Sequence, residues 1–257
     1  MHVGDVVRSL VVATVLVVGA LSPVEAADQP HHRAVPFVFI GKADDCGPGT
    51  FGSHIVTSAW LGGMGLPDIG GDAALNGVLA TAGDPHRGLL LSKNGPTTDC
   101  SSAGARITRV QGISVDATFT LGFDYRNGGH CGAGAPRFNV VAKPPTGPNT
   151  FHFVGGCANG VQTPAPQDLA EWTRARFAAA QQFPPIPLGS KIVSITLLYD
   201  EGTDTASVQD PNGVGLAVVD NIFINGQFIR TGTGIADGTS GEDRDNGNSH
   251  GNGDNDD

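Results

Sequence analysis

The chain has 257 residues, of which 38 are glycine, 17 are proline and only 16% are charged, a turn-rich composition that argues against a helical bundle or coiled coil. Its formal net charge is −10, but seven of the acidic residues lie at positions 237–257, against the single base Arg244. The segment 27–236 is therefore nearly neutral, and without a basic stripe it gives no reason to expect a nucleic-acid partner.

The first 26 residues have the pattern of a secretory signal peptide. Arg8 precedes an apolar run at 10–21, and the small residues Val24 and Ala26 fit the positions before a cleavage point. We expect cleavage after Ala26 and a secreted product, extracellular or periplasmic. The alternative is a retained anchor, but this run of 12 residues is shorter than the roughly 20 that span a bilayer. No second apolar stretch follows, so no membrane span is expected in the mature form.

Short runs of β-branched and aromatic residues then alternate with clusters of Gly, Pro, Asn and Asp that are typical of turns. The predicted strands in chain order are 35–40, 53–59, 88–91, 105–110, 113–123, 137–142, 151–154, 172–177, 192–199 and 216–224. The most regular is 113–123, where apolar residues occupy every second position. Segments 73–80 and 166–180 also fit helices, and the second competes with the strand 172–177.

This series of strands predicts one all-β domain over 27–236, a two-layer antiparallel β-sandwich of jelly-roll type with long Gly/Pro-rich loops. From about residue 231 the composition changes to Gly, Asn, Asp and Ser, with few apolar residues. We therefore expect an acidic tail at 237–257 to be disordered.

Four cysteines in an exported chain predict two disulfides, for which three pairings are possible. Cys131 and Cys157 flank two strand-like runs, and a hairpin of those runs would bring the two cysteines together. This favours Cys131–Cys157 and, by elimination, Cys46–Cys100. The alternative is a reactive thiol at Cys131 beside His130, which is disfavoured because neighbours on a strand point to opposite faces.

Three blocks of sequence resemble a group of exported bacterial β-sandwich proteins to which no activity is assigned. They are GLLLSKNGPTTDCSSAGA at 88–105, FDYRNGGHCGAGAPRFNVV at 123–141, and LLYDEGTD with VVDNIFING at 197–204 and 218–226. The resemblance covers about residues 88–230 and implies no site residues. More loosely, the strand VVDNI resembles those of jelly-roll carbohydrate-binding modules, a likeness of fold from which function does not follow.

Oxygen ligands lie on two neighbouring strand-like runs. Asp200 and Asp204 follow the strand 192–199, and Asp220 and Asn221 lie within 216–224. Ca²⁺ takes six to eight oxygens and tolerates irregular geometry, so these four residues predict a calcium site. The alternative is structural: the acids cap turns, and Asp220 accepts a hydrogen bond from a neighbouring loop.

Sugar recognition would need an aromatic platform and a few directional polar groups. Trp172, Tyr125, Arg126 and Arg137 are the candidate ligand-binding residues. The alternative is that Trp172 belongs to the core, and that the two arginines are solvated strand ends or partners of Asp124.

The chain contains no G-x-S-x-G, H-E-x-x-H or C-x-x-C motif. The sequence therefore favours an exported, non-catalytic binding or surface-interaction protein, with a glycan or a cell-surface component as its partner. The alternative is a secreted hydrolase that cleaves glycans or esters at a site assembled across the sandwich, because triads and carboxylate pairs are recognised by geometry.

Overall fold

The structure is a computed structural model that describes residues 31–41, 56–71, 83–208 and 210–237. In these ranges the only helical segments are 3-10 turns, and no helix has the length and apolarity needed to cross a bilayer. The strands in chain order are β1 (Ala34–Phe39), β2 (Val56–Leu61), β3 (Gly88–Lys93), β4 (Ser102–Ile107), β5 (Leu121–Arg126), β6 (Arg137–Lys143), β7 (Thr150–Gly155), β8 (Val161–Ala165), β9 (Asp168–Phe177), β10 (Gln182–Phe183), β11 (Lys191–Tyr199), β12 (Leu216–Ile224), β13 (Gln227–Ile229) and β14 (Ile235–Asp237).

These strands form two antiparallel sheets. The first sheet has the order β1-β4-β11-β6-β7-β10, and the second has the order β14-β2-β3-β12-β5-β9-β8, with β13 paired to β12. Phe123 and Phe177 of the second sheet meet Phe138 of the first in the core, with ring centroids between 5.5 and 6.3 Å apart. The predicted two-layer antiparallel β-sandwich is confirmed.

The most regular predicted strand, 113–123, is a strand only in its last part, because β5 begins at Leu121. The Asp116 carboxylate accepts hydrogen bonds from the backbone N–H of Thr118 at 2.8 Å and from its hydroxyl at 2.7 Å. Asp side chains offer the backbone an alternative to a sheet ladder, and here that alternative forms a turn. The prediction of a continuous strand was therefore wrong.

The helical interpretation of 166–180 was also wrong, because β9 occupies most of this segment and pairs with both β5 and β8. Ile235–Asp237 forms β14 and pairs with residues 57–59 of β2, so strand structure extends to Asp237. The predicted signal peptide at 1–26, the helical segment 73–80 and the rest of the acidic tail lie outside the described residues.

The predicted Cys131–Cys157 disulfide is present, with the two Cα atoms 5.4 Å apart. β6 and β7 pair as an antiparallel hairpin, and this pairing brings the flanking cysteines together as expected. Closing the 26-residue interval contributes about 3 kcal/mol by a loop-entropy estimate. The alternative of a reactive Cys131 thiol is wrong, because its sulfur is bonded to Cys157. Cys46, and with it the predicted Cys46–Cys100 pair, lies outside the described residues.

Candidate binding face

The outer face of the first sheet presents one continuous row of side chains. Residues alternate between core and solvent along each strand, and the strand register aligns one outward residue from each of the six strands. Neighbouring strands are about 4.8 Å apart, so this row is about 24 Å long. We call it the cross-strand row; from edge to edge it consists of Phe183, Phe153, Asn139, Thr196, Arg106 and Val35.

Three exposed phenylalanines lie together at the β7–β10 edge of this face. Phe151, Phe153 and Phe183 are 47%, 40% and 75% exposed. The rings of Phe151 and Phe153 meet edge to face with centroids 5.0 Å apart, and Phe183 is the cross-strand partner of Phe153. We call these three residues the aromatic patch. Contiguous exposed apolar surface of this kind is typical of an interaction site.

Arg137, a predicted ligand-binding residue, lies beside the aromatic patch. Its guanidinium carbon is 5.2 Å from the centre of the Phe153 ring, and its two terminal nitrogens each donate to an Asp200 carboxylate oxygen at 2.6 Å. The Nε atom donates to Asn139 Oδ1 at 3.2 Å. Bidentate pairing fixes the plane of the guanidinium, so Arg137 is held next to the polar centre of the row.

The charge of the first sheet is opposite to that of the whole chain. Its six strands contain four cationic side chains and no carboxylate, although the chain has a net charge of −10. The cations are Arg106, Arg137, Lys143 and Lys191, and the strand register places all four on the outer face. The strands of the second sheet, by contrast, contain five carboxylates and four cations. The strands of this face thus carry an excess of cations within an acidic chain, of which Arg137 is compensated by Asp200 just after β11.

A cavity of about 390 Å³ lies on the first sheet near the Arg106 end of the row, between β11 and the residues that follow β4. Its polar lining consists of Arg106, Thr108, Arg109, Gln111, Ser194 and Thr196. The face thus offers aromatic surface at one edge and hydrogen-bond donors in a depression toward the other.

The other predicted ligand-binding residues lie elsewhere. Trp172 is 3% exposed and packs with Leu66 and Val218 in a small core on the outer side of the second sheet. Tyr125 is 1% exposed, and its hydroxyl donates to Gln162 Oε1 at 3.0 Å. Neither buried ring can serve as a stacking platform, so that part of the prediction was wrong. Arg126 is exposed at the end of β5, in the sheet opposite to Arg137.

The predicted calcium ligands belong to different parts of the structure. Asp200 follows β11 in the first sheet and pairs with Arg137, whereas Asp204 accepts hydrogen bonds from the backbone N–H and hydroxyl of Thr97 at 2.6 and 2.8 Å. Asp220 and Asn221 lie in β12 of the second sheet. Within the described ranges, no group of three or more His, Cys, Asp or Glu side chains is arranged to hold a metal ion. Calcium binding stays a prediction.

Asp220 joins a surface loop to the second sheet. Its Oδ2 atom accepts a hydrogen bond from the Leu66 backbone N–H at 2.8 Å, and its Oδ1 atom accepts one from the Asn221 N–H at 2.5 Å. Burial raises the pKa of this carboxyl group well above its ordinary value. Asn221 has a φ of 45° at a register shift of β12 and donates to Asp124 Oδ2 at 2.8 Å. These contacts match the structural alternative, in which Asp220 braces a neighbouring loop.

We expect Asp220→Ala to lower the melting temperature by the same amount in calcium and in chelator. The substitution leaves the Leu66 and Asn221 amides without an acceptor, which costs about 1–3 kcal/mol for each buried group. Thermal unfolding of the wild type and the variant in both conditions measures this. If calcium raises the melting temperature of the wild type alone, the prediction fails and the calcium site gains support.

A buried cluster that the sequence analysis did not group braces the loop before β6. His130 Nε2 is hydrogen-bonded to Glu201 Oε2, and His130 Nδ1 lies 3.6 Å from Asp210 Oδ2. The Ala135 N–H donates to the same Glu201 oxygen at 3.2 Å, and a Cβ added at Gly134 would lie 2.2 Å from the other oxygen. The side chains of His130 and Asp210 are almost fully buried and that of Glu201 is 16% exposed, so this cluster holds the loop in place and is largely shielded from solvent. In the sequence, the glycine-rich run around His130 was the feature that could have indicated this buried cluster.

Comparison with protein-family models and with curated proteins finds no match to this sequence. The fold and the surface therefore describe a two-sheet antiparallel β-sandwich in which one outer face carries cationic and aromatic side chains.

Proposed function

We propose that this protein is an exported, non-catalytic binding module whose outer face on the first sheet binds a glycan. The observation that carries the proposal is the cross-strand row, which places exposed aromatic rings next to fixed polar groups on one face of the sheet. Export is supported by the N-terminal sequence pattern and by the Cys131–Cys157 disulfide, since disulfides persist in oxidising compartments.

The chemistry of the row suits a sugar. Aromatic rings such as Phe153 and Phe183 stack on the apolar faces of pyranose rings, and sugar hydroxyls need donors and acceptors in fixed directions. The Asn139 amide supplies both. The Arg137 guanidinium, whose plane is held by Asp200, keeps one N–H on Nη2 beyond those donated to Asp200, Asn139 and the Gly134 carbonyl. Because these side chains lie on strands, the backbone that carries them is already ordered, and binding costs little backbone entropy.

The hydrolase alternative gains no support from the His130–Glu201–Asp210 cluster. A general acid or base must reach the reacting group of the substrate. The imidazole of His130 has no exposed surface, and the Glu201 carboxylate, whose side chain is 16% exposed, already accepts hydrogen bonds from the imidazole and from the Ala135 N–H. We therefore favour binding without catalysis.

We expect Phe153→Ala and Phe183→Ala together to weaken glycan binding by about tenfold or more, which corresponds to about 1.4 kcal/mol. The reason is the loss of two stacking surfaces that are already exposed in the free protein. A glycan array identifies the ligand for the mature protein, and calorimetry then measures the dissociation constant for each variant.

Leu169→Ala is the matched control, because Leu169 is a 60% exposed apolar residue of the second sheet. It should bind as tightly as the wild type. The proposal is contradicted if the array shows no glycan ligand, or if the double phenylalanine variant binds the identified glycan with unchanged affinity.

A further inference from the structure

We infer that the ligand of this face is an acidic polysaccharide, whose carboxylate or sulfate groups bind at Lys143 and Lys191. This inference rests on the proposed glycan-binding function and specifies the ligand class.

Lys143 and Lys191 form a like-charged pair. They lie directly opposite each other on β6 and β11, and both are exposed. Like charges at opposed positions destabilise a sheet, and an anion bound between them would remove that repulsion. Within the described part of the chain, their ammonium groups donate only to uncharged acceptors, Lys143 to the Gly147 carbonyl at 2.6 Å and Lys191 to the hydroxyl of Ser114.

The nearby carboxylates are already engaged. Asp116, two residues after Ser114, accepts two hydrogen bonds from Thr118. Asp200 is paired with Arg137, so its charge is compensated at the other end of β11. Among the described carboxylates, none forms an ion pair with either lysine. The lysine pair thus gives the face net positive charge beside the aromatic patch.

A second cationic position lies on the same face, where Arg106 is the cross-strand partner of Thr196. Arg106 and Arg109 line the 390 Å³ cavity there, together with Ser194 and Thr196. On β11, residues 192–195 separate Lys191 from Thr196, the partner of Arg106, and the outward polar side chain among them is Ser194, which lines the cavity. This spacing suits a polymer that carries anionic groups at intervals and hydroxyl groups between them.

The same geometry disfavours two other anionic partners. A nucleic acid presents one phosphate per nucleotide and is bound along a continuous basic stripe, but the outward polar positions at the centres of β6 and β11, Asn139, Ser194 and Thr196, are uncharged. An anionic membrane is bound by apolar groups that enter the acyl boundary. Phe151 and Phe153 lie on the sheet surface next to these polar side chains, and their insertion would bury the polar groups too.

The test uses pairs of polymers that differ in charge. Polygalacturonate is compared with its methyl ester, and dextran sulfate is compared with dextran, by calorimetry on the mature protein. We expect at least one acidic polymer to bind about tenfold tighter than its neutral counterpart, and Lys143→Gln with Lys191→Gln to weaken that binding about fivefold. Arg126→Gln, an exposed cation of the second sheet, should leave the affinity unchanged.

The two acidic polymers distinguish carboxylate from sulfate as the bound group. Equal affinity for acidic and neutral polymers, with binding still lost in the Phe153→Ala and Phe183→Ala variant, overturns the inference and leaves the glycan proposal standing. Binding to oligo-dT or to phosphatidylglycerol vesicles in place of the acidic polymers also overturns it. If no polymer and no array glycan binds, the proposed function itself fails.

Discussion

Replacing Asp124 with alanine is expected to lower the free energy of unfolding by about 3–5 kcal/mol, the usual effect of removing one partner from a buried ion pair. The Asp124 side chain has no exposed surface and accepts two hydrogen bonds from Arg174, both at 2.9 Å. It also lies 3.3 Å from Arg176 Nη1 and accepts a hydrogen bond from Asn221 Nδ2 at 2.8 Å. The alanine variant would leave two half-buried guanidinium groups without this shared carboxylate.

The expected fall in melting temperature is about 6–20 °C, since each kcal/mol corresponds to about 2–4 °C in a domain of this size. Urea unfolding measures the free energy directly. Glu171→Ala, at an exposed position of β9 on the same sheet, is the control and should change it little. A loss below about 1 kcal/mol for Asp124→Ala would contradict the view that this carboxylate holds the arginines of the second sheet.

The strands could be predicted because their pattern depends on local physics. Alternation of apolar and polar residues in β6 and β11 marks strands with one buried face. In β7 the same pattern points to the wrong face, because Phe151 and Phe153 are exposed and His152 is buried. The Cys131–Cys157 pairing followed from the hairpin of β6 and β7, which needs only neighbouring segments. The alternating pattern at 113–123 predicted a strand that is not there before Leu121. The Asp116 side chain accepts a hydrogen bond from the Thr118 backbone N–H, and this forms a turn in place of strand pairing.

The candidate binding face could not be predicted, because it depends on register between strands that are distant in sequence. Phe183 belongs to a two-residue strand with no periodic signal of its own, and only its pairing with Phe153 places it in the aromatic patch. Trp172 was misassigned for a related reason. Its strand position faces outward, but Leu66 from a loop about a hundred residues earlier covers the ring.

Lys93 links the buried structure to the candidate binding face. Its side chain is fully buried, and its ammonium group donates to the backbone carbonyls of Thr97 at 3.2 Å, of Asp200 at 2.8 Å and of Asp99. Burial lowers the pKa of Lys93. Asp200 is therefore held at its backbone by Lys93, and its carboxylate in turn holds Arg137 on the outer face.

We expect Lys93→Met to lower the free energy of unfolding by about 3 kcal/mol or more. Methionine fills much of the volume of the lysine side chain, but it leaves three backbone carbonyls without a donor, and each buried carbonyl without a partner costs about 1–3 kcal/mol. Glycan binding should also weaken, since Arg137 loses the support of a fixed Asp200. Urea unfolding measures the first effect, and calorimetry at a temperature where the variant remains folded measures the second.

Arg126→Met, an exposed cation of the second sheet, should change neither. A Lys93→Met protein with wild-type stability would show that the carbonyls find water in place of the ammonium. Unchanged glycan affinity in a destabilised variant would show that Arg137 is positioned without help from Lys93.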